Sequence, residues 1–171
     1  MAQPPLLVNA AELLRDPGNH RHLALALPAP DVGVDHPAVS DDVVVDVELV
    51  STIDDVVVSG RIDVPWRGTC RRCLRPLVET ARIHVEERYA DDPDLVERGE
   101  AAAIVRGQID LTPLVRDEVL LTAAEDRLCR PDCAGLCPTC GRDRNEGPCG
   151  CDNSPTDERW SVLDQLRRPD A

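Results

Sequence analysis

Eight cysteines are the residues of this chain best suited to chemistry. Six lie in one stretch, C-RPD-C-AGL-C-PT-C-GRDRNEGP-C-G-C, running from Cys129 to Cys151. The other two form a Cys-x-x-Cys pair at Cys70 and Cys73. Free surface thiols oxidise and cross-link, so eight of them need a purpose. Cys137-Pro-Thr-Cys140-Gly141 reads as a knuckle, a tight turn that presents two sulfurs on one side with a glycine free to take positive φ. Cys149 and Cys151 follow eight residues later and offer a second pair. Two such pairs can close a tetrahedral four-cysteine site of the kind that holds structural zinc.

Eight cysteines make two such sites, and two pairings are open. In the first, Cys137, Cys140, Cys149 and Cys151 share one zinc, while Cys129 and Cys133 join Cys70 and Cys73 on a second. In the other, Cys129, Cys133, Cys137 and Cys140 form one site, leaving Cys149 and Cys151 for Cys70 and Cys73. The first is preferred because the knuckle and its partner pair are close in sequence. All-cysteine sites with no open position are structural, not catalytic. An iron–sulfur cluster also takes four cysteines, but the spacing lacks the repeated Cys-x2-Cys-x2-Cys of ferredoxins. A thioredoxin-like role for Cys70 and Cys73 needs a βαβ setting, whereas Pro76 follows here and strands flank the pair.

Other chemistry finds little support. The sequence contains no lysine, which removes Schiff-base and P-loop lysine mechanisms. No Gly-rich phosphate loop, nucleophile elbow or His-Glu-x-x-His motif occurs. His20 and His22 read as solvated, and His36 and His84 are isolated. The start of the chain lacks a charged segment followed by an apolar one, so a cytoplasmic protein is expected. In that reducing compartment, cysteines favour metal over disulfides.

Formal net charge is −13 over 171 residues. That disfavours generic nucleic-acid binding and suits a basic protein partner. The charge is uneven: residues 1–69 hold four arginines against eleven acids. Arg71, Arg72, Arg75 and Arg82 surround the first knuckle, and Arg142 and Arg144 lie beside the second. These six either contact RNA or phosphate, or merely offset thiolate charge.

The elements that must position the cysteines read as an α+β domain, an antiparallel sheet with one main helix. With no phenylalanine, the core must be aliphatic. A strand is expected near Leu6–Val8, helical turns over 10–15 capped by Asn9, and a strand over 22–27. A hairpin follows, Val43–Val50 and Val56–Val64, with Asp46, Glu48, Arg61 and Asp63 facing solvent. Val78–Tyr89 reads as a further strand and 91–103 as an acidic loop. Leu111–Ala124 reads as the main helix, with Thr112 as N-cap and Pro113 at the first helical position; Leu111, Val115 and Val119 form its apolar stripe, with Leu114 and Leu121 alongside. The expected domains are an α+β body over 1–128 carrying the knuckle at 70–73, a zinc module over 129–151 packed on the body, and a short terminal helix within 152–171.

The order Cys70-Arg-Arg-Cys73-Leu74-Arg75-Pro76, then Glu118-Val-Leu-Leu, then Cys129-x3-Cys133-Ala-Gly-Leu-Cys137-Pro-x-Cys140-Gly141 and Cys149-Gly-Cys151, resembles the YceD-like family. The likeness spans roughly residues 40–167, and its most specific part is Gly-Leu-Cys-Pro-x-Cys-Gly. Where that family commonly has Asn-Leu-Asn after Gly141, this chain has Arg142-Asp-Arg-Asn145. The resemblance implies a non-enzymatic factor for large-subunit ribosomal RNA accumulation or ribosome assembly. Its expected partner is ribosomal RNA, a basic large-subunit ribosomal protein or an assembly factor. A zinc-ribbon regulator that binds nucleic acid outside ribosome assembly is the alternative.

Overall fold

The computed structural model describes residues 5–151. They divide into two compact units: the first takes in the described residues up to 68 together with 76–126, and the second 69–75 with the described residues from 127 onward.

The first unit is the α+β body. Strand β1 (Leu7–Asn9) leads into a short helix α1 (Ala10–Leu13), and β2 (His20–Leu27) follows. Asn9 caps α1, its side-chain oxygen accepting from the Glu12 N–H at 3.2 Å. After a 3-10 turn at Ala29–Val32 come β3 (Val43–Ser51), β4 (Asp55–Thr69) and β5 (Pro76–Ala90). Helix α2 (Pro93–Glu97), β6 (Ala102–Ala103), β7 (Gln108–Asp110) and helix α3 (Thr112–Ala123) complete it. Five strands form one sheet in the order β2-β3-β4-β5-β6, and β1 pairs with β7 in a second, two-stranded sheet.

Period-2 patterning sets which face of the large sheet is buried. Val43, Val45, Val47 and Leu49 point inward from β3, and Val56, Val58, Ile62, Val64 and Trp66 from β4. Asp46, Glu48, Arg61 and Asp63 occupy the opposite parity, as expected, with Asp46 and Asp63 half-buried and the other two exposed. Their charges pair across strands: Asp46 accepts from His22 and Arg61, and Asp63 from Arg82. One inward position of β4 is Gly60, opposite Val47. A Cβ there would lie 2.3 Å from the Asp46 carbonyl oxygen and 2.6 Å from the Val47 Cα. The strands approach too closely for any side chain at that point.

Helix α3 buries Val115, Val119, Thr122 and Ala123, continuing the stripe from Leu111. Two details differ from the sequence expectation. Thr112 is not the N-cap but the first helical residue, so Pro113 is the second; the Thr112 N–H donates to the Asp110 carboxylate, two residues earlier, at 2.9 Å. Leu121 is 67% exposed and lies outside the buried stripe. The segment 91–103 is not a plain loop. Asp92 accepts from the Asp94 N–H and Pro93 starts α2, which carries the chain to β6. Beta strand β6 runs parallel to β5, so the sheet is mixed at that edge. Strand β7 follows a two-residue turn at Arg106 and Gly107, both at positive φ, with Val105 and Gln108 exchanging backbone bonds. The terminal helix expected around Asp157, Trp160, Leu163 and Leu166 lies outside the described residues.

Candidate metal centres

The second unit begins in the connection between β4 and β5. Cys70, Arg71, Arg72 and Cys73 make a tight turn there: the Cys70 N–H donates to the Arg75 carbonyl at 2.8 Å, and the Leu74 N–H returns to the Cys70 carbonyl at 2.9 Å. The turn at Cys137 repeats this pattern. Its N–H donates to the Arg142 carbonyl at 2.8 Å, and the Gly141 N–H returns to the Cys137 carbonyl at 2.9 Å. Gly141 has φ 71° and Leu74 φ 59°. The left-handed residue after the second cysteine is thus a glycine in one knuckle and a strained, exposed leucine in the other. That substitution hides the equivalence of the two turns from a motif search for Cys-x-x-Cys-Gly.

The sulfurs converge in two quartets, Cys70 with Cys73, Cys129 and Cys133, and Cys137 with Cys140, Cys149 and Cys151. This is the grouping of the first pairing. Within each, the sulfurs lie within 4.8 Å of one another. Cys70 and Cys133 are 3.8 Å apart, Cys73 and Cys129 3.6 Å. A tetrahedron with metal–sulfur bonds of about 2.3 Å has edges of about 3.8 Å. A disulfide would need sulfurs at about 2.05 Å. The donor set therefore fits one tetrahedral dication per quartet.

The surroundings divide each quartet into sulfurs that ionise readily and sulfurs that do not. Burial pushes the Cys70 thiol up, but N–H donors of Cys73, Cys129 and Arg72 outweigh it and bring the thiol down to about 6. The Cys140 N–H, helped by that of Thr139 and opposed by burial, brings Cys137 down to about 6. Burial and the sulfurs of Cys133, Cys73 and Cys70 push Cys129 up to about 12. Hydrogen bonds with the Cys140 and Cys149 sulfurs, then burial, push Cys151 up to about 12. Four adjacent thiolates repel one another without a cation among them, and a dication removes that repulsion.

Asn145 is the residue that sequence reasoning passed over. It lies in the loop between Cys140 and Cys149, yet its amide Nδ2 donates to the Cys133 sulfur of the other quartet at 3.5 Å. The same Nδ2 donates to Asp143 Oδ1 at 2.6 Å. Its Oδ1 accepts from the Ala134 N–H and from Arg130, each at 2.8 Å. A second link joins the quartets through backbone: the Leu136 N–H donates to the Arg72 carbonyl at 3.0 Å. Gly135 makes this possible, since a Cβ there would come within 3.1 Å of that carbonyl oxygen. The sequence held a signal, because Asn145 is what remains where the resembled pattern has Asn-Leu-Asn. Its partner could not be read without the fold.

Of the six arginines singled out, five lie in this unit and several are occupied. Arg72 donates to the Cys133 carbonyl at 2.9 Å, and Arg75 lies 3.7 Å from the Asp143 carboxylate. Arg71 also has partners, among them the Arg127 carbonyl, which accepts its backbone N–H at 3.0 Å. Arg142 and Arg144 are exposed. Arg82 belongs to β5 in the first unit, where it donates to Asp63 at 2.9 Å.

A family model described as large ribosomal RNA subunit accumulation protein YceD matches residues 58–167, which include all eight cysteines. An uncharacterized protein of Mycobacterium tuberculosis is 30% identical over 174 residues, covering 98% of this chain and 84% of that protein. An uncharacterized protein of Mycobacterium bovis matches to the same extent. One of Mycobacterium leprae is 28% identical over 129 residues, covering 73% of this chain and 59% of its own. No solved structure matches the chain. Among the described residues, no helix is long and apolar enough to cross a membrane.

Proposed function

The chain belongs to the YceD family of large ribosomal RNA subunit accumulation proteins, and from that premise we propose that it is a non-enzymatic cytoplasmic factor supporting assembly of the large ribosomal subunit. The observation that carries this reading is that the family match runs across both cysteine quartets. In this reading Cys70, Cys73, Cys129 and Cys133 hold one zinc ion, and Cys137, Cys140, Cys149 and Cys151 a second. Zinc in four-thiolate sites supplies folding energy and cross-links, with no open position for substrate. Asn145 orients Cys133 and ties the two sites to one another.

The partner we favour is a basic ribosomal protein or assembly factor that meets the acidic body. Several arginines of the knuckle unit are spent on its own carbonyls and carboxylates, which fits a role in offsetting thiolate charge. A second reading, contact with ribosomal RNA, is kept by Arg142 and Arg144, which are exposed beside the second quartet.

Affinity capture of the full chain from its source cells, with and without nuclease, tests both. Large-subunit precursor RNA and ribosomal proteins should be enriched before nuclease, and a basic protein should remain after it. Loss of every protein after nuclease, together with loss of RNA in the Arg142→Glu/Arg144→Glu variant, would favour direct RNA contact. Enrichment of neither RNA nor ribosomal protein would overturn the functional reading.

A further inference from the structure

The first unit carries a groove of about 470 Å3 between the start of α3 and the edge strand β6. Ala102, Ala103, Val105 and Leu114 supply an apolar floor and wall. Val105 is 56% exposed, an unusual position for valine on a tight turn. Four carboxylates rim the groove, Glu87, Asp110, Asp117 and Glu118, and no arginine lines it. Asp110 is engaged by the Thr112 N–H and Asp117 by Arg116. Glu87 accepts only the N–H of its neighbour Arg88, and Glu118 has no partner among the described residues. The carboxylates do not converge into a metal-binding group, since among the described residues only the cysteine quartets do so.

Tyr89 adds a hydrogen-bonding group to the same groove. It is 3% exposed and lines the groove. Its hydroxyl makes no side-chain hydrogen bond among the described residues and is not a buried unsatisfied atom, so it reaches solvent at the groove and is open to an acceptor there. Beside it, β6 ends the five-stranded sheet, so the far side of Ala103 is an open strand edge only two residues long.

We propose that this groove docks an extended, basic peptide segment of a partner protein, which lies along β6, packs small apolar side chains on Ala103 and Val105, and places arginine or lysine on Glu87 and Glu118. The Tyr89 hydroxyl donates to a backbone carbonyl of the peptide. Strand addition supplies main-chain bonds, alternate side chains supply the apolar contacts, and the carboxylates select charge. Nucleic acid is disfavoured at such a rim by phosphate repulsion. The inference deepens the proposed function and rests on it for the identity of the partner as a ribosomal or assembly protein.

The test uses the full zinc-loaded chain and a fluorescent peptide of alternating Arg and Val, with its Glu–Val counterpart as control. Binding, read by anisotropy, should be confined to the basic peptide, with hydrogen-exchange protection appearing at 102–105. Glu87→Lys/Glu118→Lys should weaken it about tenfold or more, the usual scale for lost and reversed charge pairs. Tyr89→Phe, which removes only the hydroxyl, should weaken it about threefold. Asp42→Lys/Asp54→Lys makes the same change of net charge on the exposed ends of β3 and of the β3–β4 turn, and should leave binding nearly unchanged. Equal weakening by both double variants, or no binding of the basic peptide, overturns the groove. Cosedimentation with large-subunit precursors separates the two readings. A wild-type chain that cosediments but ignores the peptide refutes the groove alone. One that binds the peptide at the groove but never cosediments refutes the ribosomal reading and leaves the groove standing.

Discussion

The two units are held together by different forces. In the body, the buried cluster is a continuous set of Val, Leu, Ile and Ala side chains with Trp66 and Tyr89. Among the described residues, none of the second unit belongs to that cluster, and the hydrophobic-class residues buried there are cysteines: Cys70, Cys73, Cys133 and Cys137. The described part of that unit, with thiols where a core would be, has little apolar burial to offset its conformational entropy. The body is a product of patterning, and in the proposed reading the knuckle unit is a product of coordination. If the quartets bind metal as proposed, one chain carries a fold that tolerates repacking beside one that depends on eight sulfur atoms.

The largest expected effect comes from removing the metal. Structural zinc supplies about 10–16 kcal/mol in small folded modules. Chelation, or Cys133→Ser, should abolish hydrogen-exchange protection at 69–75 and 127–151 while β3 and β4 stay protected. Simultaneous loss across both units would break the comparison. Next in size is damage to the body alone. Ile62 is fully buried, and Ile62→Ala should cost about 2–5 kcal/mol. Thermal unfolding followed by hydrogen-exchange protection of β3 and β4 should shift, with metal content unchanged; loss of metal in this variant would contradict independent stabilisation of the two units.

Asn145→Ala sharpens the comparison inside the second unit. It removes the amide that donates to the Cys133 sulfur, so metal affinity at the first quartet should fall about 10–100-fold, as for other residues that orient ligands. Competition with a chromogenic chelator reads this directly, and an unchanged release curve would reduce Asn145 to a loop residue. The smallest effect belongs to Asp46. The His22 hydrogen bond, helped by Arg61 and opposed by burial, holds its carboxyl below the usual range. A depressed carboxylate stabilises the fold above its unfolded value of about 3.9, and that contribution is lost as pH falls through the folded value. Asp46→Asn should therefore lower the body's melting temperature slightly at pH 7, and the difference from wild type should shrink as pH falls below about 3.9.

Most of the body was legible in the sequence because β3 alternates strictly and β4 resumes the pattern after a turn. Val43, Val45, Val47 and Leu49 announce one face, and Asp46 and Glu48 the other. The short edge elements were not legible. Beta strand β6 is two alanines, and β7 owes its place to pairing with β1, a contact across about a hundred residues that no local pattern encodes. Helix α2 was hidden because Asp92-Pro93 reads equally as loop and as helix start. The cysteine pairing followed from spacing, since the knuckle at Cys137 has its partner pair nearby. Asn145 did not, because a residue within one quartet's loop serves the other quartet only once the chain has folded.

Native mass spectrometry of the chain as isolated tests the central claim most directly. Two zinc ions per folded chain, both lost when the second unit unfolds, is the predicted result. A folded second unit carrying one ion or none would contradict it.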